Sequence, residues 1–558
     1  MRNSKFIMAT GSAILGLTAI FGSLPADAKT KQPAAPRAFT AQEKAEGAKY
    51  HTEILKEFGG PMQSPQTAYV VRVGKNIAAQ SGLGNSQDDF NVTLLNSSVN
   101  NAFALPGGYV YITRQLVALC NSEAEMAGVL GHEVGHTAAR HSEKRQSNAT
   151  FANILGIGGT ILGSVLGDSA GWLGAVGAGL KQYAGPLAQV FSLKYSRTQE
   201  EEADDFGIRY LSSAGYDPSA LSSMLNALAL QTSLDSRVAG LGDNAVPEWA
   251  STHPDPARRV VRAATRSKSY PASNVRNADA HFAAIDGMLY GDDPDQGVIE
   301  GQAFIHPQLK MRFTAPTGFG MQNGNEAVSI NGNTGKAMFT AAAFDGNRDA
   351  YVSNAFKSVA GKNMTIPVRD IRRTTVNGIP AFYARSVVNT QQGQRAVSVY
   401  AYEWSPGTAF HFVTITAANA RPFDGMFESM SRLSNAQAAE VKPRTLRVVT
   451  VGRTDTVASL ATRMAYPSLQ TDRFLALNGL PFNAALRPGQ KVMLRHQAYP
   501  YQKYGHQEGV VVSVSRAAIS PAELPRIGAV VAELRGMPLD ALMEATTASA
   551  VAALPRLA

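Results

Sequence analysis

The sequence predicts a multidomain fold: a mainly helical α+β domain, then an antiparallel α+β domain, then a small βααβ module and a tail. Three observations carry this. The chain has 558 residues, long enough for three or more domains. Its first half mixes helical apolar spacing with short strand-like runs on either side of His132-Glu133-Val134-Gly135-His136. From about Phe304 to Leu433 the apolar period changes to two, as in strands.

Met1 to Ala28 reads as a secretory leader. Arg2 and Lys5 precede an apolar run from Phe6 to Phe21, and Ala26-Asp27-Ala28 is a small-x-small cleavage site. Thr40 to Phe58 is expected to be helical, with Glu43, Lys44, Glu46 and Lys49 on a polar face, and Tyr69 to Ala79 continues the helical layer. Asn91 to Leu95 is a short strand. Tyr109 to Thr113 alternates after the turn residues Pro106-Gly107-Gly108.

Ser122-Glu123-Ala124-Glu125 has the form of a capping box, and Met126, Val129, Leu130 and Val134 follow at helical spacing. On that helix His132 and His136 are about one turn apart and point the same way, so both imidazoles can grip one metal ion. Glu133 then sits beside the ion, placed to take a proton from a water bound there. With ten histidines in the chain, a chance H-E-x-x-H is on the order of one in a hundred. Gly128, Gly131 and Gly135 are poor helix formers, and close packing against a neighbour is a reason to keep them.

Catalytic zinc usually takes three protein ligands and leaves one position open. The third ligand must come from elsewhere, and the carboxylate-rich run Glu200 to Asp205 is the best candidate region. Glu200 and Asp204 share a helix face, as do Glu201 and Asp205. Five carboxylates in six positions repel one another unless cations or a metal lie nearby. Spacing alone does not choose the register, and an acidic helix start would also account for the run.

Several motifs, taken together, resemble the HtpX/BepA/Oma-type zinc metallopeptidases, which are gluzincins. They are Asn101 to Gly108, Val110 to Thr113, the H-E-x-x-H helix, Ser196-Arg197-x-x-Glu200-x-Glu202-Ala203-Asp204, Gly215-Tyr216-Asp217-Pro218 and Thr252-His253-Pro254. The resemblance runs over roughly residues 40 to 260 and implies a zincin-type α+β protease domain, expected over 35–265. It assigns Glu200 as the third zinc ligand. Asp204 matches the acidic residue one turn on, which orients a ligand histidine or helps proton transfer, and we favour orientation. Glu201, Glu202 and Asp205 are then solvated or structural. The region of Asn101 and Ala102 would form the cleft's edge strand and hold a substrate backbone by strand addition. His253 reads three ways: a fourth ligand that latches the site, a transition-state donor, or a structural residue. The latch comes first because related proteins place this motif close to the site. His141 lies behind the ligands or at the surface.

Phe151 to Gly167 carries no charge, but seventeen residues of which six are glycine or serine make a weak membrane span. We read residues 151–180 as an apolar flap over the cleft, with contact to a membrane surface left open and a membrane-spanning helix pair as the alternative. Glu200 to Ala214 and Pro218 to Leu234 are expected helices, and residues 266–303 a linker with a helix around Ala280 to Leu289.

In the 304–435 domain, strands are expected at Ala337 to Ala342, Ala381 to Val388, Ala396 to Glu403 and Phe410 to Ala417, with helices at Asp349 to Ala360 and Pro422 to Met430. This domain faintly resembles the PsbP/Mog-like fold and shows no catalytic constellation. Residues 445–495 resemble a LysM module through Val448 to Val451, Asp455-Thr456, Ser459 to Ala461, Leu477 to Leu480 and Leu486-x-Pro488-Gly489-Gln490. That resemblance implies peptidoglycan as a partner, although Thr454 stands where such modules carry glycine. Residues 496–558 stay unassigned.

The net charge of +9 would draw an exported protein to anionic envelope surfaces. Nucleic acid is excluded by export and by the lack of a binding motif. Cys120 is the only cysteine, so no internal disulfide exists. The combined expectation is an exported endopeptidase with one Zn2+ on His132, His136 and Glu200, and Glu133 as base. It would act on misfolded or unassembled envelope polypeptides. A latent scaffold and a peptidoglycan-crosslink hydrolase are the rival readings.

Overall fold

A computed structural model describes residues 37–141, 195–238, 253, 255–324, 327–360, 366–390 and 393–497. The expected leader, the 151–180 flap and the tail beyond 497 lie outside the described residues. Among the described residues no helix is long and apolar enough to cross a membrane.

The first domain holds α1 (Ala41–Glu57), α2 (Gln66–Ala79), β1 (Asn91–Leu95), β2 (Ala102–Leu105), β3 (Tyr109–Thr113), α3 (Arg114–Leu119), α4 (Glu123–Ala138), α5 (Arg197–Ser213), α6 (Ala220–Val238), α7 (Pro256–Ser267) and α8 (Ala278–Ile285). Thr40 starts α1 with a full capping box to Glu43. The box at α4 is only half made. Ser122 accepts the Glu125 N–H, but the Glu125 carboxylate takes the N–H of Asn121, 2.7 Å away, rather than that of Ser122.

The three strands form a sheet ordered β1-β3-β2, with β1 parallel and β2 antiparallel to β3. Tyr109 to Thr113 is therefore central, and β2 carries the edge. Every residue of α4 from Glu123 to His136 is buried, so it is the central helix of the domain. Its glycines let α5 approach. A Cβ on Gly135 would lie 2.8 Å from Phe206 Cβ, and one on Gly207 would lie 3.1 Å from the His132 backbone nitrogen. This contact sets Glu200 of α5 opposite the α4 histidines.

The middle domain holds β4 (Val298–Glu300), β5 (Ala303–His306), β6 (Met311–Thr314), β7 (Gly320–Asn323), β8 (Ala327–Gly332), β9 (Gly335–Ala343), α9 (Arg348–Ala360), β10 (Arg372–Val376), β11 (Ile379–Thr390), β12 (Gly393–Ser405), β13 (Thr408–Ala417), α10 (Asp424–Ser429) and β14 (Ser431–Arg432). A seven-stranded antiparallel sheet runs β10-β11-β12-β13-β9-β8-β7. On one face Val352 and Phe356 of α9 pack on Val397, Val399 and Val413. On the other face Phe339, Tyr402 and Phe412 pack on Phe313 of the smaller sheet β14-β6-β5-β4.

After α11 (Asn435–Glu440) come β15 (Arg444–Thr450), α12 (Val457–Ala461), α13 (Gln470–Leu477) and β16 (Lys491–Gln497), the expected βααβ order. This module is not a pendant. Leu446, Phe474 and Leu477 share one buried apolar cluster with Leu225 and Leu228 of α6. The 266–303 segment is equally built in. Leu446 N–H donates to Met288 O at 2.9 Å and Gly287 N–H to Leu446 O at 3.0 Å, so residues 287–290 add an edge to β15. Asp292 and Asp293 accept hydrogen bonds from Ser98 and Asn96 of the first domain. A linker expectation fails here because backbone pairing needs no apolar side-chain pattern.

Candidate metal centre

His132 and His136 project from α4, Glu200 from the first turn of α5, and His253 from the segment just before α7. All four are buried, and one donor atom from each lies within 4.8 Å of the others. His132 Nε2 is 3.0 Å from His136 Nε2 and 3.6 Å from Glu200 Oε2. His136 Nε2 is 3.3 Å from Glu200 Oε1. His253 Nδ1 is 3.4 Å from His132 Nε2 and 3.1 Å from Glu200 Oε1. A tetrahedral zinc ion with bonds of ~2.0–2.1 Å has ligand–ligand edges of ~3.3–3.4 Å. Three imidazoles and one carboxylate at these separations fit such an ion.

Electrostatics prepare the same site. Burial holds His136 well below the ordinary histidine range and brings His253 to about 4, so both present lone pairs. Burial opposes the charge on Glu200, but the Arg259 guanidinium bonded to it keeps the carboxylate ionised. Burial, with the Glu200 charge added, pushes Glu133 well above the usual carboxylate range. Glu133 Oε1 lies 3.8 Å from His253 Nε2.

The outer nitrogen of each α4 histidine is also engaged. His132 Nδ1 lies 3.0 Å from Asp204 Oδ1, which fixes the proton on Nδ1 and turns Nε2 toward the ion. His136 Nδ1 lies 2.8 Å from His141 Nδ1, and His141 Nε2 lies 3.1 Å from Glu202 Oε2. The tautomers that satisfy this chain run His136 Nδ1–H to His141 and His141 Nε2–H to Glu202. His141 is wholly buried behind the ligand, and Glu202 acts through it, a role not expected of Glu202 from sequence. Tyr195 stacks on His136 with ring centroids 3.7 Å apart.

Arg259, one of the arginines expected to close the protease domain, belongs to the site itself. It is buried on α7, with Nε and Nη2 at 2.9 and 2.6 Å from the two Asp204 oxygens, and Nη1 bonded to Glu200. Asp204 is held at about 2: Arg259 and His132 outweigh the effect of burial. One and two turns further on, Arg262 and Arg266 meet Asp205 at 2.9 and 3.3 Å. The run of carboxylates at 200–205 had signalled a need for cations, and α7 supplies them in register.

Asn101 and Ala102 are buried at the start of β2. The Asn101 backbone is already used: its N–H donates to Thr113 Oγ1 and its carbonyl accepts from the Thr113 N–H. Alternation then turns the N–H and C=O of Ala102 away from β3, toward the open edge. Of the pair, only Ala102 presents its backbone outward.

Residues 64–267 match the model of peptidase family M48. Over this segment the chain is similar to M48 peptidases. It is 29% identical over 219 residues to the putative beta-barrel assembly-enhancing protease of Vibrio cholerae, across 38% of this chain and 42% of that one. It is 30% identical over 235 residues to the beta-barrel assembly-enhancing protease of Yersinia pestis, across 41% and 44%. The mitochondrial metalloendopeptidase OMA1 of Schizosaccharomyces pombe matches at 30% over 215 residues, across 38% and 56%. The chain thus spans about half the length of these relatives.

Proposed function

We propose that the chain is a zinc metalloendopeptidase of the bacterial cell envelope that hydrolyses misfolded or unassembled exported proteins. The observation that carries this is the convergence of His132, His136, Glu200 and His253, one donor atom from each within 4.8 Å of the others, with Glu133 beside them. A zinc ion held there would supply Lewis acidity, activating water and polarising the scissile carbonyl. Glu133 accepts the water's proton and returns it to the leaving amine. Asp204 and His141 orient the ligand imidazoles, and Arg259 holds Glu200 and Asp204 in place. The β2 edge at Ala102 binds the substrate backbone by strand addition, which favours loose side-chain selectivity.

With His253 as a fourth ligand, the position that solvent needs would be filled, and activity would require its withdrawal. The relatives named for beta-barrel assembly support an envelope substrate, and the βααβ order of residues 444–497, with the LysM-like motifs, supports peptidoglycan as a partner. The test is zinc content and casein turnover for wild type, Glu133→Gln and Glu200→Ala. The proposal expects Glu133→Gln to keep zinc and lose turnover, and Glu200→Ala to lose both. Full turnover in Glu133→Gln would refute it.

A further inference from the structure

The middle domain contains a cavity of about 430 Å³, far in sequence from the metal ligands and lined among others by Lys336, Met338, Arg395, Val413, Ile415 and Ala417. That volume is in the range of small-ligand pockets, ~300–1,000 Å³. Strand register explains its chemistry. Met338 and Lys336 of β9 pair with Val413 and Ile415 of β13, and Arg395 of β12 pairs with Ala417. Val413, Ile415 and Ala417 alternate onto one face of β13, and cross-strand partners share that face. Val413 and Ile415 belong to the apolar cluster that α9 covers. Lys336 and Arg395 therefore stand on either side of β13 where this apolar trough ends.

The two residues sit two strands apart and two positions offset along β13, about 12 Å between backbones, so both long side chains can reach a group placed between them. Among the described residues, no aspartate or glutamate lines the cavity. Arg395 Nε is buried without a hydrogen-bond partner among the described residues. Burial brings the Lys336 ammonium down to about 8, which leaves it mostly charged at neutral pH.

The geometry points to a binding site for a small amphipathic anion, its single carboxylate or phosphate head between Lys336 and Arg395 and its apolar body along Met338, Val413 and Ile415. A neutral amphiphile would leave the buried guanidinium nitrogen unmatched, and a bare anion would leave the trough unfilled.

The test is calorimetric titration of the full purified chain with decanoate, decyl phosphate, decanol and inorganic phosphate, below micelle-forming concentrations. Decanoate or decyl phosphate should bind saturably, with decanol and inorganic phosphate at least about tenfold weaker. The tighter of the two alkyl anions identifies the head group. Lys336→Met and Arg395→Met should each weaken that anion by about tenfold while leaving decanol unchanged. Met338→Trp, which fills the trough, should abolish binding in a protein with an unaltered circular dichroism spectrum. Equal affinity for decanol, undiminished binding in both charge variants, or no saturable binding would overturn the assignment. Casein turnover should be unchanged in Lys336→Met and Arg395→Met, which separates this outcome from the peptidase reading.

Discussion

Arg259 grips both carboxylate oxygens of Asp204, with Nε at 2.9 Å and Nη2 at 2.6 Å, in a pair that solvent does not reach. The same guanidinium holds Glu200, so one cation neutralises two buried carboxylates, one a metal-ligand candidate and one its neighbour's orienting partner. Removing one member of a buried ion pair costs about 3–5 kcal/mol, because the remaining charge is stranded. Arg259→Met should lower the stability of the metal-free protein by that amount. It should also weaken zinc about tenfold to hundredfold, the usual effect of losing a residue that orients ligands. Arg259→Lys should fall between, since it keeps the charge but not the fork. Urea titration and chelator competition read the two effects, and Arg259→Met with wild-type zinc affinity would refute the positioning role.

Gly135→Ala and Gly128→Ala should differ in sign. The new Cβ at Gly135 would lie 2.8 Å from Phe206 Cβ and 3.0 Å from Ala203 O, so α5 must shift and carry Glu200 with it. A loss of about 1–3 kcal/mol and weaker zinc binding are expected. At Gly128 the nearest atoms are 3.4 Å away, an ordinary contact. Helix propensity then favours alanine by about 1 kcal/mol. Thermal melts of the two variants settle the comparison.

These residues also mark the limit of what the sequence disclosed. His132, Glu133 and His136 were legible because a local spacing, one helical turn, defines their geometry. Glu200 required a family pattern, since several carboxylates of the 200–205 run satisfy the same local rules. Arg259 and the His141–Glu202 chain are contacts between helices far apart in sequence, and nothing in local periodicity encodes them. The pairing of residues 287–290 with β15 escaped for another reason: it is made by backbone groups, which every residue carries. The strand order β1-β3-β2 puts Tyr109 to Thr113 in the centre and leaves an edge to β2, an order that alternation within a single strand does not encode.

Replacing His253 should separate its three readings. As a fourth ligand it competes with solvent, so His253→Ala should retain stoichiometric zinc, bind it less tightly and raise casein turnover. As a transition-state donor, its loss would lower turnover with zinc affinity unchanged. As a purely structural residue it would lower the melting temperature and move neither. The first pattern is expected from the 3.1 and 3.4 Å separations of His253 Nδ1 from Glu200 and His132.

Acid sensitivity should arise away from the metal centre. His411 is buried in the sheet of the middle domain with Nδ1 2.8 Å from the Tyr351 hydroxyl, and burial lowers it to about 4. Its unfolded value is ~6.5, so the folded state binds fewer protons. Stability is then complete above about pH 6.5 and declines as pH falls toward 4, by roughly 3 kcal/mol for this group. His411→Gln should flatten that decline by a similar amount. Urea midpoints at pH 7.5, 6.0 and 4.5 test it, and an unchanged slope would reject the assignment.

The βααβ module should behave as part of the first domain rather than as a tether. Asp286 accepts the Val448 N–H at 2.9 Å and pairs with Arg447 at 3.0 Å, and residues 287–290 continue the strand pairing. Leu446, Phe474 and Leu477 complete an apolar cluster that also contains Leu225 and Leu228 of α6. Ending the chain at Glu440 would expose that cluster to water at ~25 cal/mol per Å² of apolar surface and leave the 287–290 backbone unpaired. The truncated protein is therefore expected to bind a hydrophobic dye, aggregate and lose zinc retention, whereas Asp286→Ala should only lower the shared melting transition. Glycan contact alone predicts the opposite: a truncated chain that stays soluble, keeps its zinc and cleaves casein at the wild-type rate. Differential scanning calorimetry of the intact chain gives an independent check, since one transition for both units follows from a shared core and two transitions would contradict it.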